Sequence, residues 1–220
     1  MQVPRARRLR LASSLPLLWI ALAMPARANL IDLTHGSGAG SFELASGPFV
    51  ETGPGFAVVP AGSTFIVGWT TGGNGVDYLR APEHLAAEGT YSVDLARLSA
   101  GWISTTIPTV PGTTYFLTFQ AYAGLIGTNN VGRVSAGDLV QSFTANEVTS
   151  AGGATYTPYA FSFTASETST VVLFEAQVST NGFGPVVDDV SIYVPEPGSV
   201  AMTALGFVLL GMSSRRPRNM

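Results

Sequence analysis

Apolar side chains recur at every second position through the middle of this chain, and that period restricts the fold more than any other feature. Tyr115, Leu117 and Phe119 alternate with Thr114, Phe116 and Thr118. Tyr159, Phe161 and Phe163 alternate with Ala160, Ser162 and Thr164, and Val172, Phe174 and Ala176 with Val171, Leu173 and Glu175. Successive side chains of an extended strand point to opposite faces, so runs of this kind form half-buried strands. Shorter runs fall at 64–69, 75–79, 91–95, 102–107, 139–143 and 186–194. Turn signals separate them: Gly53-Pro54-Gly55, Gly72-Gly73-Asn74-Gly75, Pro111-Gly112, Gly127-Thr128-Asn129-Asn130 and Gly152-Gly153. No interior stretch carries a long apolar stripe of helical period, and residues 83–87 have room for one helical turn. The expectation is an all-β fold, a two-sheet antiparallel β-sandwich.

Both ends of the chain follow a different pattern. Arg5, Arg7, Arg8 and Arg10 precede an apolar run over residues 11–23, and Ala26-Arg27-Ala28 supplies small residues after it. Basic, apolar and small in that order predict a secretory signal peptide over residues 1–28, cleaved between Ala28 and Asn29. The run is shorter than the ~20 residues that a bilayer core requires. Residues 29–39, with Gly36-Ser37-Gly38-Ala39-Gly40 at their end, read as a flexible segment leading into the domain. At the far end, Pro195-Glu196-Pro197 stands before an apolar stretch over 199–212, and Arg215, Arg216 and Arg218 close the chain. A Pro-Glu-Pro segment is stiff and cannot join a sheet, which leaves it accessible to a processing enzyme. The short hydrophobic helix expected after it would be held with its basic end in the cytoplasm.

With both ends set aside, residues 29–194 form one domain-sized unit of 166 residues. Arg80, Arg97 and Arg133 are its only basic residues against thirteen Asp and Glu, a net charge of −10 where the whole chain carries −3. A surface of that sign repels nucleic-acid phosphate, so nucleic acid is excluded as a partner. The chain has no cysteine, so its stability comes from the core without disulfides.

Chemistry for catalysis is sparse. His35 and His84 are the only histidines, in no metal-ligand spacing, and there is no Cys or Lys nucleophile and no Gly-x-Ser-x-Gly elbow. Thirteen acids leave open a pair arranged for glycoside hydrolysis. An aromatic platform for sugar is offered by Trp69, Tyr78 and Trp102, with Tyr122 and Tyr156 as further aromatic positions. Each of these is equally readable as core.

Several strings together resemble the choice-of-anchor C family, which is related to a plant cell-wall domain. They are Ser41-Phe42-Glu43, Ile66-Val67-Gly68-Trp69, Gly75-Val76-Asp77-Tyr78, Tyr91-Ser92-Val93-Asp94-Leu95, Gly101-Trp102-Ile103-Ser104-Thr105-Thr106, Pro111-Gly112-Thr113-Thr114-Tyr115 and Gly184-Pro185-Val186-Val187-Asp188-Asp189-Val190-Ser191-Ile192. The resemblance runs through residues 40–194 and implies a galactose-binding-like jelly roll. It also implies that Glu43, on the first strand, and Asp188 and Asp189, on the last, lie side by side. Relatives with that fold hold a structural Ca²⁺ in such a place, and carboxylate and carbonyl oxygens are the ligands Ca²⁺ prefers. Residues 195–220 resemble a PEP-CTERM sorting signal. This implies an exosortase-type processing enzyme as partner, the inner membrane as an anchor before processing, and the cell surface or extracellular matrix of a Gram-negative bacterium as destination. The function expected from these features is an exported, non-catalytic protein associated with extracellular polysaccharide. The alternatives are a secreted carbohydrate-active enzyme on the same sandwich and a purely structural adhesive surface protein.

Overall fold

The computed structural model of the chain describes residues 28–124, 130–145, 155–177 and 182–194. The signal peptide expected over residues 1–28, Ala28 excepted, and the segment carrying Pro195, Glu196 and Pro197 lie outside the described residues. Among the described residues no helix is long and apolar enough to cross a membrane.

The period-two runs are strands. In chain order the described elements are α1 (Leu30–His35), β1 (Phe56–Val59), β2 (Thr70–Gly73), β3 (Val76–Arg80), β4 (Tyr91–Asp94), β5 (Gly101–Pro108), β6 (Thr114–Ala123), β7 (Asn130–Ala136), β8 (Leu139–Ala145), β9 (Thr157–Thr164), β10 (Ser169–Ala176) and β11 (Pro185–Tyr193). They form two antiparallel sheets, β1-β3-β4-β11-β6-β9 and β2-β5-β10-β7-β8, packed as a β-sandwich. The core lies between them. Tyr115, Leu117, Phe119 and Phe163 from one sheet meet Ile103, Val134, Phe143, Val172 and Phe174 from the other, each at most 3% exposed. Phe119 contacts Phe143 and Phe174 edge-on with ring centroids 4.9 Å apart, the geometry that aromatic quadrupoles favour.

Two local expectations change. The run at 64–69 is not a strand; it makes a single bridge, Ala45 to Ile66, and regular pairing starts at Thr70. Gly68 takes φ +84 there, which turns the chain before β2. Residues 29–39 are not a loose segment either. Asn29 caps α1, accepting the Ile31 N–H, and its side chain also donates to the Val190 carbonyl and accepts the Ile192 N–H. Asp32 accepts the Gly40 N–H, the Gly40 carbonyl accepts the Val190 N–H, and Ile31 is fully buried. Those contacts sit where β11 bulges away from β6, between Asp188 and Ser191. The N-terminal segment supplies the hydrogen bonds that the bulge withdraws from the sheet.

The two outer faces differ sharply. On the six-stranded sheet, Leu79, Ser92, Asp94, Val186, Asp188 and Tyr122 point outward yet are at most 5% exposed. The segment 81–90 lies across them: the Leu85 carbonyl accepts the hydroxyls of Ser92 and Tyr156. On the five-stranded sheet, β5, β7 and β10 keep a clean alternation, and their outward side chains are half-buried to exposed. Among the described residues one sheet is covered and the other is free.

Covering carboxyls has a consequence for stability. Burial pushes Asp94 up to about 8 and Asp188 up to about 7, from ordinary values near 3.8. Between those limits the folded state holds protons that the unfolded chain releases, so stability present at acid pH is lost as pH rises through 7 to 8. Urea midpoints should therefore fall from pH 5 to pH 8.5, by the equivalent of at least ~1.4 kcal/mol, one pKa unit on one group. Asp94→Asn, which keeps an acceptor for its two N–H donors and copies the neutral acid, should flatten that slope. A slope equally steep in Asp94→Asn would show that this carboxyl does not carry it.

Candidate functional site

Two of the three acids expected to bind metal, Glu43 and Asp188, hold a loop. Glu43 is not on a strand: Phe42 takes φ +62, the chain turns, and Glu43 lies in the loop before the Ala45 bridge. Its Oε1 accepts the N–H groups of Thr90 and Tyr91, both at 2.8 Å. Gly89 stands at φ +64 with no room for a side chain, since a Cβ there would lie 2.4 Å from the Glu43 carboxyl carbon. Asp188, fully buried on β11, grips the same loop: its Oδ2 accepts Ala87 N–H at 2.6 Å and Glu88 N–H at 3.2 Å, and its Oδ1 accepts Asp189 N–H. Burial raises Asp188 against those three donors, which favour the anion. Asp189 occupies the bulge at φ +50 and accepts from the Gln120 amide through Oδ2.

Glu43, Asp189, Asp32 and Glu88 share an open depression of about 330 Å³. Among the described residues no group of three or more His, Cys, Asp or Glu side chains is placed to hold a metal ion. Ca²⁺ takes about six to eight oxygens, and the Asp188 oxygens already accept three backbone N–H groups. As placed, Glu43, Asp188 and Asp189 do not converge as a group of three on one ion.

The aromatic candidates separate cleanly. Trp69 is 1% exposed, in contact with Phe42 and Phe174, and donates its indole N–H to the Ala39 carbonyl at 2.8 Å. Tyr78 is fully buried, stacks on Tyr91, and donates its hydroxyl to the Phe42 carbonyl at 2.5 Å. Both are core residues and unavailable to a ligand. Tyr122 and Tyr156 meet edge-on, 4.8 Å between centroids, on the covered face. Trp102 alone of the three named platforms is on the free face.

Its setting is built from the neighbouring strands. Cross-strand register places Gly72, Trp102, Glu175, Arg133 and Ser142 in one row across the five-stranded sheet, on β2, β5, β10, β7 and β8. The indole lies on Gly72: a Cβ at that glycine would fall 1.9 Å from the ring's Cζ2. A glycine on the edge strand thus makes the seat for the ring. Arg133 donates from both Nε and Nη2 to Glu175 Oε1, which fixes a guanidinium and a carboxylate side by side next to the indole. The Trp102 indole N–H has no hydrogen-bond partner among the described residues. From Trp102 to Ser142 is three strand spacings, ~14 Å. The row combines an apolar ring, a charged fork and the Ser142 hydroxyl on a rigid sheet. The sequence reading missed Gly72, Arg133, Glu175 and Ser142 because they are far apart in the chain.

Residues 38–193 match the family described as Protein of unknown function (DUF642). The chain belongs to that family. No curated protein sequence matches this DUF642 chain. Solved structures similar to it include TmCBM61 in complex with beta-1,4-galactotriose, at 17% identity and TM-score 0.44 over 58% of this chain and 88% of that one. A family 35 carbohydrate binding module from Clostridium thermocellum gives 13% identity and TM-score 0.42, over 63% and 99%. The CBM22-1 xylan-binding domain from Paenibacillus barcinonensis Xyn10C gives 13% and 0.41, over 65% and 97%.

The loop-holding role of the acids predicts how the domain responds to cations. EDTA should leave the melting temperature within ~1 °C, and Ca²⁺ should do no more than NaCl at matched ionic strength. Glu43→Ala should lower stability by about 1–3 kcal/mol, because two N–H groups lose their acceptor. A rise of several degrees in Ca²⁺ alone would restore the ion to this site.

Proposed function

We propose that this chain is an exported, non-catalytic surface or matrix protein that binds a neutral polysaccharide along the free face of its five-stranded sheet. The observation that carries the reading is the row through Trp102: a seated indole beside a fixed Arg133–Glu175 pair and Ser142. A sugar's C–H face packs on an aromatic ring while its hydroxyls need donors and acceptors, and the row offers both. A chain molecule suits a straight row ~14 Å long better than a single ring does. Neutral polysaccharide is favoured over acidic because residues 29–194 carry −10.

Export rests on the ends of the sequence. Signal cleavage after Ala28 would leave Asn29, the residue that caps α1 and ties it to β11, at the new N-terminus. Processing at Pro195, Glu196 and Pro197 by an exosortase-type enzyme would then release the domain from the inner membrane of a Gram-negative cell. Val140 and Val171, 61% and 57% exposed on the same face, favour a second reading in which that face adheres to another protein.

Affinity electrophoresis through gels cast with neutral or acidic soluble polysaccharides tests the binding. At least one neutral polysaccharide should retard the protein, and Trp102→Ala should weaken retardation about ten-fold, one aromatic contact of ~1.4 kcal/mol, with the melting temperature unchanged. Retardation by acidic polysaccharides alone, or undiminished in Trp102→Ala, contradicts the assignment. Migration unaffected by every polysaccharide, with self-association lost on Val171→Asp, would establish the adhesive reading instead.

A further inference from the structure

The covered sheet hides a second cavity. It measures about 190 Å³ and is walled by Phe56, Leu79, His84, Tyr122 and Phe183, with Asp77, Asp94 and Arg97 supplying charge. Asp77 on β3 and Asp94 on β4 are direct cross-strand partners, so both carboxyls rise from the sheet at one place.

Their hydrogen bonding is incomplete in a directed way. Asp94 spends Oδ1 on the N–H groups of Ala96 and Gly184, both at 2.9 Å, and Oδ2 has no donor among the described residues. Asp77 Oδ1 is buried and has no partner at all among the described residues. A buried acceptor left unmet costs about 1–3 kcal/mol, so a ligand that donates to it recovers that cost. Gly124 keeps the space over Asp94 open: a Cβ there would stand 2.7 Å from Oδ2. Arg97 makes no ion pair within the described residues; the two formed are Arg80–Glu51 and Arg133–Glu175. Its guanidinium acts on Asp77 as a nearby charge.

The balance of charge selects the occupant. Burial pushes Asp77 up to about 6 and Asp94 up to about 8. At neutral pH Asp94 holds its proton, and ionised Asp77 is offset by Arg97. A cavity with no net charge disfavours both anions and ammonium groups. What remains is a neutral molecule with hydroxyls for Asp77, Asp94 and Arg97 and an apolar face for Phe56, Tyr122 and Phe183. Drug-sized ligands occupy ~300–1,000 Å³; this cavity has room for one ring.

We infer that the pocket between Asp77, Asp94 and Arg97 is a second ligand site, separate from the Trp102 face, that takes a single uncharged hexose ring. The ring is a free sugar or the end unit of a glycan, and the same wall chemistry serves either.

Saturation-transfer NMR on the full chain tests this with D-galactose, D-glucose and D-mannose, their methyl glycosides, and glucosamine and glucuronate as charged counterparts. One or more neutral hexoses should bind, and the charged sugars should bind about ten-fold more weakly. Asp77→Asn and Phe183→Ala should each weaken the hexose about ten-fold, with Arg97→Gln as a further variant should either fail to fold. Trp102→Ala should leave hexose affinity within about two-fold while losing polysaccharide retardation, which separates this site from the proposed face. Binding of methyl glycosides assigns the pocket to glycan ends, and binding of free hexoses alone assigns it to free sugar. No signal from any neutral sugar, equal binding of the charged sugars, or loss of hexose binding in Trp102→Ala overturns the inference.

Discussion

Two carboxylates decide which side of this sandwich is available. Glu43 and Asp188 come from opposite ends of the domain and close on one loop, taking the N–H groups of Ala87, Glu88, Thr90 and Tyr91. A buried carboxylate without such donors would cost several kcal/mol, so the loop and the acids depend on each other. With the loop in place, the outer face of the six-stranded sheet becomes a second small core around Leu79, Tyr122 and Val186. The five-stranded sheet receives no such cover among the described residues, and its outward side chains remain free to meet a partner.

The same economy governs the chain's closure. There are no cysteines, so nothing covalent ties the beginning of the domain to its end. Asn29 and Gly40 do this with hydrogen bonds to Val190 and Ile192, at the place where β11 leaves its register. A bulge ordinarily leaves backbone groups unpaired. Here the N-terminal segment meets them, and the irregularity becomes the attachment point. The first and last parts of the domain are thus joined by the Asn29 side-chain amide and the Gly40 carbonyl.

How much of this was legible depends on whether the information is local. β6, β9 and β10 were readable because their inward and outward residues alternate without interruption, and Phe116 and Val171 point outward as the period requires. β7 was not read, since Gly132 breaks its apolar pattern and its inward residues are mostly small. α1 escaped notice for the opposite reason: six residues are too few to show a helical period, and its stability comes from the Asn29 cap and Ile31 burial. The aromatic site was legible as a set and not as a choice. Trp69 and Trp102 lie in similar strings, and what separates them is a glycine on a neighbouring strand and a charge pair on two others. Glu43 was read as a metal ligand on a strand, whereas its partners in the fold are backbone N–H groups, which carry no signature in sequence.

The claim on which the account turns is that the free face, through Trp102, is where this protein meets polysaccharide. Its two described tryptophans give an internal comparison, since Trp69 donates its indole N–H to Ala39 inside the core while that of Trp102 has no partner among the described residues. The most direct measurement is a heteronuclear NMR titration with the polysaccharide that retards the protein, following the indole Nε1–H and arginine Nε–H resonances. Trp102 and Arg133 should shift in step with saturation while Trp69 stays in place. A Trp102 resonance that does not move at saturating polysaccharide would contradict that claim.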